Sequence, residues 1–317
     1  MLIRHQRDIT EAVLAELEGA ASPRFREIMG SAVRHLHDFI RDTHLSELEF
    51  QQACSIIARL GQATSESHNE VVLAAGSLGV SALVCLLNNG DQGRSDTTAN
   101  LLGPFWRPGA PFTENGGSIV RSVTPGDPLI VKARVLDRKG QVIPDADIDV
   151  WHSSNLGYYE NQDPGQADMN LRGTFRTDAH GEISFRSIKP LGYPIPVNGP
   201  VGDLLRLQGR HNMRPAHLHF LIRKAGYKTQ FSQVYVNDDP HLGSDVQFAV
   251  TQKLIGNFVR HDAIHPHHQD LPTPWFSLDY DFILEAGVSK IPNAPITGKT
   301  LVERPRLEVL SARTRTA

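Results

Sequence analysis

Two cysteines among 317 residues, Cys54 and Cys85, are too few for a disulfide framework. Both fall in helix-like segments and read as small core residues. Long apolar runs are missing too: none approaches the roughly 18 residues that a membrane-spanning helix needs. Neither sign of charge dominates, with 32 Lys and Arg against 35 Asp and Glu and a formal net charge of −3. That balance gives no general attraction for nucleic acid or for an anionic membrane. The N-terminus, MLIRHQRDITEAVLAELEG, lacks the charged-then-apolar layout of a signal peptide, so a cytoplasmic protein is expected. No H-E-x-x-H occurs. The Gly-rich piece Gly199-Pro200-Val201-Gly202-Asp203 is read as lacking the lysine and the helix start of a phosphate loop. No nucleotide cofactor is indicated.

Apolar residues make up 40% and charged ones 21%, an ordinary globular composition with room for one large domain or two ordinary ones. The first hundred residues carry helical periodicity. Ser22 reads as an N-cap and Pro23 as the first turn of a helix to Thr43, whose apolar positions include Phe25, Ile28, Val33, Leu36, Phe39 and Ile40. Ser46 and Glu49 form a capping-box pattern before Phe50, Ala53, Ile56, Ile57 and Leu60. Val71 to Leu87 reads as a further helix ended by Asn88-Asn89-Gly90, and residues 9–19 as a short first one.

From about Gly103 the period changes to that of strands. Extended runs are expected at 128–136 and 146–151, with a β-hairpin formed by 173–177 and 182–188 around the turn Asp178 to Gly181. Further strands are expected at 217–223, 230–236 and 276–284. The expected architecture is α+β: a helical domain over 1–101, then an antiparallel β-sandwich over 102–317.

His217 and His219, two apart in a predicted strand, would present two imidazoles on one face, half of a metal site. Other ligands have to come from elsewhere. Neither cysteine lies in the β region, and no nearby carboxylate completes a two-histidine, one-carboxylate set. The β region instead holds tyrosines in unusual settings, in Trp151-His152-Ser-Ser-Asn-Leu-Gly157-Tyr158-Tyr159 and in the proline-bounded Lys189-Pro190-Leu-Gly192-Tyr193-Pro194. A phenol of pKa near 10 becomes a ligand at neutral pH only when the charge of the ion displaces its proton, which favours a hard trivalent ion. His152, after an expected buried tryptophan, reads as structural. His211 could reach a pocket rim. His265, His267 and His268 read as a solvated Pro-rich loop.

Four stretches resemble the intradiol ring-cleavage dioxygenases, above all their hydroxyquinol and catechol 1,2-dioxygenase branch. They are LGPFWRPGAP at 102–111, DVWHSSNLGYY at 149–159, RGTFRTDAHGEISFRSIKPLGYPIPVNGPVG at 172–202 and GRHNMRPAHLHF at 209–220. RHLHDFIRDTHLSELEF, in the helical region, is similar to the helical linker of that branch. The resemblance implies Fe(III) held by Tyr159, Tyr193, His217 and His219, and a substrate pair of aromatic diol and O2. Tyr159, rather than Tyr158, lies eight residues after the tryptophan of the motif. Arg214 matches an arginine whose cation sits over the substrate, Gln233 a polar position beside the iron, and Tyr193 a phenolate that takes up a substrate proton. Gly76, Val80, Leu102, Gly103, Pro104, Phe105 and Arg214 would line the substrate pocket. Hydroxyquinol, opened to maleylacetate, is the expected substrate, with catechol or substituted and chlorinated catechols as the alternative. One departure stands out: where the hydroxyquinol branch tends to carry an aspartate, this chain has Gly76, which removes a partner for a third hydroxyl and leaves room. The resemblance also implies a homodimer through the N-terminal helices, with bound phospholipid. Two other classes stay open: a two-histidine ferrous oxygenase, which would need a carboxylate ligand, and a non-catalytic β-sandwich binding protein.

Overall fold

The computed structural model describes residues 2–90, 97–301 and 303–312. Its residues form two compact units, 1–58 and 59–317, which divide inside a helix. In the first unit lie α1 (Gln6–Glu16), α2 (Pro23–Thr43) and the start of α3 (Glu47–Gln62). Both N-terminal signals act as expected. The Ser22 hydroxyl accepts from the Phe25 N–H, and Ser46 and Glu49 exchange hydrogen bonds ahead of α3. Thr10 meets His37 at 2.9 Å, pinning α1 to α2.

The apolar run 71–87 forms two helices rather than one, α4 (Glu70–Ser77) and α5 (Val80–Asn89), bent by 74°. Gly79 causes the break. Its φ of +73° lies in the left-handed region, and its N–H closes the last turn of α4 on the carbonyl of Gly76. Among the described residues no single helix is long and apolar enough to cross a membrane. Cys54 is exposed, so the core role expected of it does not hold, whereas Cys85 is half-buried and packs against the cluster of Leu101, Tyr235, Ala249 and Leu254.

The strands are β1 (Pro128–Asp137), β2 (Asp147–Trp151), β3 (Arg172–Arg176), β4 (Glu182–Ile188), β5 (Tyr193–Pro194), β6 (Met213–Arg214), β7 (His217–Arg223), β8 (Gln230–Val236), β9 (Ile255–Gly256), β10 (Val259–His261) and β11 (Trp275–Leu284). One sheet has the order β10-β11-β1-β4 and the other β3-β2-β7-β8-β9, while β5 and β6 pair apart from both. The expectation of an antiparallel sandwich needs correction: β1 with β11, and β8 with β9, run parallel, so both sheets are mixed. The expected hairpin is also wrong. β3 pairs with β2 and β4 with β1, so the turn at Asp178 to Gly181 carries the chain from one sheet to the other. Alternation identifies a strand, but it does not name the strand's partner.

Between the sheets, Val131, Val135, Ile148, Val150, Phe175, Phe185, Leu218, Phe220 and Phe282 form the main core. A second apolar layer covers the outer face of the five-stranded sheet. There Leu73 and Ala74 of α4 and Val201 and Leu205 of α6 (Pro200–Gln208) cluster with Trp151 and Leu221. Helix α6 begins at the Gly-rich piece where no helix start was expected. Its N-terminal end is filled by a side chain, since the Val201 N–H donates to the buried Glu70 carboxylate at 2.9 Å.

Candidate active site

Strand β7 is buried on both faces and sorts its side chains by parity. Leu218, Phe220 and Ile222 enter the core between the sheets, and Leu221 enters the second layer. His217 and His219 share one face, with ring centroids 4.7 Å apart. His219 lies opposite Trp151 of β2, whose indole stacks on its ring at 4.7 Å and 9°. Tyr193 lies opposite Arg214 in the β5–β6 pair. Tyr159 follows the left-handed Gly157 after β2 and stacks on Phe105 at 4.5 Å.

These elements bring four donor atoms together. The Tyr159 Oη is 3.2 Å from the Tyr193 Oη, 3.3 Å from His217 Nε2 and 2.9 Å from His219 Nε2. The two imidazole Nε2 atoms are 3.1 Å apart. All four side chains are almost wholly buried. His217 Nδ1 lies 2.6 Å from the carbonyl of Pro215, to which it donates, so its Nε2 turns a lone pair toward the cluster. Burial and the Arg214 cation push the His217 imidazolium down to about 3. His219 is pushed well below the usual imidazole range by burial and by His217. Both imidazoles are therefore neutral. Burial raises both phenols, Tyr159 the more strongly because Tyr193 adds to the effect, while the Arg214 cation opposes the rise at both.

Two neutral imidazole nitrogens and two hydroxyls aimed at one another would be a poor hydrogen-bonding arrangement. As ligands of a single first-row ion at about 2 Å they would sit about 3 Å apart, as they do here. Among the described residues His219 Nδ1 is buried with no partner, so the ring is held by the stacked Trp151 indole rather than by a hydrogen bond at that nitrogen. No group of three His, Cys, Asp or Glu side chains converges among the described residues, so phenols must complete any such donor set. The donor chemistry thus fits a hard ion of high charge and does not fit a two-histidine, one-carboxylate ion. Tyr158 stands outside the cluster, half-buried under the Arg304 guanidinium.

Arg214 is buried against the cluster, its Nη1 3.4 Å from His217 Nε2. Its fork donates to Asp245 at 3.1 and 3.2 Å, to Gln233 Oε1 at 2.8 Å and to the Tyr235 hydroxyl at 3.0 Å. Gln233 in turn donates to the Leu101 carbonyl, and Asn100 to Tyr235. Asp245, Tyr235 and Asn100 are not evident from the sequence. The signal for the first was available, since a buried arginine demands a carboxylate.

A cavity of about 660 Å³ has Gly76, Val80, Leu102, Gly103 and Pro104 in its walls and none of the four donor residues. Phe105 and Arg214 are not in that wall: Phe105 lies behind Tyr159, and Arg214 is buried beside His217. Gly103 joins the two regions, because a Cβ there would sit 3.0 Å from His219 Cε1. His152 is buried away from the cavity between the Ser153 carbonyl and the Ser187 hydroxyl, and His211 lines a separate cavity of about 630 Å³ beside Asp245. In the loop after β10, His265 Nδ1 accepts from the N–H groups of His267 and His268.

Residues 101–286 match the dioxygenase family model, and residues 22–95 match the model of the catechol dioxygenase N terminus. The chain belongs to the intradiol ring-cleavage dioxygenases. Among its relatives, the hydroxyquinol 1,2-dioxygenase of Rhizobium sp. is 38% identical over 86% of this chain and 93% of that protein. The catechol 1,2-dioxygenase of Candida albicans is 36% identical over 87% and 91% respectively. The solved hydroxyquinol 1,2-dioxygenase of Pseudomonas putida DLL-E4 superposes with a TM-score of 0.77 at 35% identity, covering 89% of this chain and 99% of that one. The reaction class of this dioxygenase is intradiol cleavage of a catechol-type diol with O2.

Proposed function

We propose that Tyr159, Tyr193, His217 and His219 hold one ferric ion and that the preferred diol is hydroxyquinol, 1,2,4-trihydroxybenzene, opened to maleylacetate. Catechol and substituted or chlorinated catechols, opened to muconate-type diacids, are the alternative substrates. The observation that carries the reading is the mutual approach of the four donor atoms. Ferric iron, when bound, supplies the charge that ionises phenols near neutral pH and an electron-withdrawing centre at which a diol becomes reactive toward O2.

The chain's own residues supply the rest. His217 and His219 are neutral and stay so, which keeps their lone pairs available across the physiological range. Tyr193, on a short strand pair opposite Arg214, is the phenol placed to take up a proton from the incoming diol. Arg214 is a fixed buried cation that can stabilise negative charge developing on the ring, with Gln233 and Asp245 preventing it from turning. Phe105 and Trp151 wall the ligand rings and keep water out of the cluster.

Support for hydroxyquinol comes from the relatives bearing that name; the room expected at Gly76 is not there, because the Gln247 side chain fills it. The same reading takes residues 1–101 as a dimerisation domain and 102–317 as the catalytic one. In the N-terminal unit, Phe25, Leu36, Phe39 and Phe50 are more than half exposed, an apolar display suited to a second copy and to a phospholipid between copies. A cytoplasmic location belongs to this reading as well.

The test is product analysis of the iron-loaded protein supplied with each diol under ¹⁸O₂. Maleylacetate carrying label from both oxygen atoms, formed faster than muconate from catechol, is expected. An unlabelled product, or an aldehyde acid from cleavage beside the diol, would contradict it.

A further inference from the structure

The Gln247 side chain lies over Gly76. A Cβ built on Gly76 would stand 2.9 Å from Gln247 Cδ and 3.1 Å from its Nε2, so the carboxamide fills the space a side chain at 76 would take. Gln247 is only 2% exposed, yet among the described residues its carboxamide makes no hydrogen bond. Its backbone N–H alone is engaged, with Asp245 Oδ1 at 3.2 Å. Both residues line the 660 Å³ cavity, whose wall also includes Gly103, the residue packed against His219. Of the other buried polar residues in this wall, Asn100 is committed to Tyr235 and to the Ala249 carbonyl. Neither carboxamide atom is both fully buried and unpaired, so the group is open to the cavity, where water or a polar group of a ligand can meet it.

The segment bearing Gln247 is held tightly. Asp245 accepts from the N–H groups of both Gln247 and Ala249 while it pairs with Arg214. The next residue, Phe248, is in the left-handed region at φ +55°, packed against Gly79 and under the Arg210 guanidinium at 4.4 Å. A bulky side chain adopts that conformation only where its surroundings impose it. One carboxylate therefore fixes both the Arg214 cation beside the ligand cluster and the carboxamide on the cavity wall.

We propose that Gln247, seated on Gly76, is a specificity-determining residue whose carboxamide hydrogen-bonds a polar ring substituent, the third hydroxyl of a trihydroxybenzene. Gln247 takes the part left open by the absence of a carboxylate at 76. This rests on the reading of the site as one that seats the two vicinal oxygens of the diol at the four-donor cluster. Unlike a carboxylate, a neutral carboxamide both donates and accepts, so it can also meet an ionised hydroxyl.

The experiment compares kcat/KM for 1,2,4-trihydroxybenzene and for catechol in the iron-loaded native protein, in Gln247→Leu and in Gly76→Ala. It is paired with anaerobic titration of each diol followed by visible absorption. Gln247→Leu leaves no partner unpaired, and Gly76→Ala displaces the carboxamide without removing it, so a folding failure of one does not end the test. The native preference for the trihydroxybenzene is expected to fall about tenfold in both variants, with a matching rise in its dissociation constant relative to that of catechol. A preference that survives Gln247→Leu and Gly76→Ala overturns the role of Gln247 alone. A native protein with no preference for the third hydroxyl overturns the substrate reading and this inference with it.

Discussion

Arg214 and Asp245, 31 residues apart in sequence, form a buried pair in which two guanidinium nitrogens donate to the two carboxylate oxygens at 3.1 and 3.2 Å. The pairing raises Arg214 well above its ordinary range and holds the Asp245 carboxyl below its own, against the opposing effect of burial on each. Both charges therefore persist in the interior. Asp245→Ala would leave the Arg214 cation buried with only neutral partners and would release the loop carrying Gln247. A loss of about 3–5 kcal/mol in unfolding free energy is expected in urea titration, with turnover largely abolished. Native-like stability would show that the pair is not what keeps Arg214 in place.

Gly103 approaches His219 so closely, at a φ of +75°, that a side chain there meets both strain and the imidazole. Gly103→Ala is expected to cost about 1–2 kcal/mol through the left-handed backbone alone. It should also lower iron content by displacing His219, which elemental analysis of the purified variant would show. Full iron occupancy would mean that the ring has freedom the packing does not suggest.

His152 carries a pH prediction. Burial pushes its imidazolium down to about 4 from the usual 6.5, so the folded protein holds it neutral while the unfolded chain protonates it below 6.5. Between those values the unfolded state binds more protons, and stability falls as pH falls. His152 contributes up to about 3 kcal/mol of that loss, which is complete near pH 4. Unfolding free energy measured from pH 7 to 4 should drop more steeply for the native protein than for His152→Gln. Parallel curves would contradict the linkage.

Residues after 286 lie outside the matched family regions, yet they are tied to the site. Asn212 donates to the carbonyls of Ile195 and Glu308, both at 2.8 Å, and accepts from the Leu310 N–H at 2.9 Å. Ile195 is two residues from Tyr193. Asn212→Ala is expected to cost about 1–3 kcal/mol, because it leaves buried backbone groups unpaired, and to expose the C-terminal segment to limited proteolysis. Unchanged protease resistance would show that other contacts, such as Arg304 with Asp163 at 2.7 Å, hold the segment without Asn212.

Local signals translated well into structure. The Ser22 cap, the Ser46–Glu49 box and the bounds of β4, β7 and β8 follow from side-chain chemistry and alternation acting over a few residues. His217 and His219 stood out as candidates because they sit two apart on one strand, while Tyr159 and Tyr193 were singled out by the resemblance of their motifs to the intradiol dioxygenases. Long-range pairings were not legible. Nothing local in 172–188 says that β3 and β4 join different sheets, and nothing near Arg214 names Asp245. The break at Gly79 was readable in principle, but an apolar run hides a left-handed residue inside it. Gln247 could not be found from sequence, since its meaning depends on Gly76 lying beneath it.

The most direct test of the central claim is the visible absorption spectrum of the purified protein, recorded together with its iron content and repeated on Tyr159→Phe and His219→Ala. One iron per chain and a red colour from charge transfer between tyrosinate and iron(III) are expected, with colour, iron and ring cleavage lost together in both variants. A colourless native protein that gains no colour on addition of ferric iron, or colour that persists without Tyr159, would contradict the four-residue iron site.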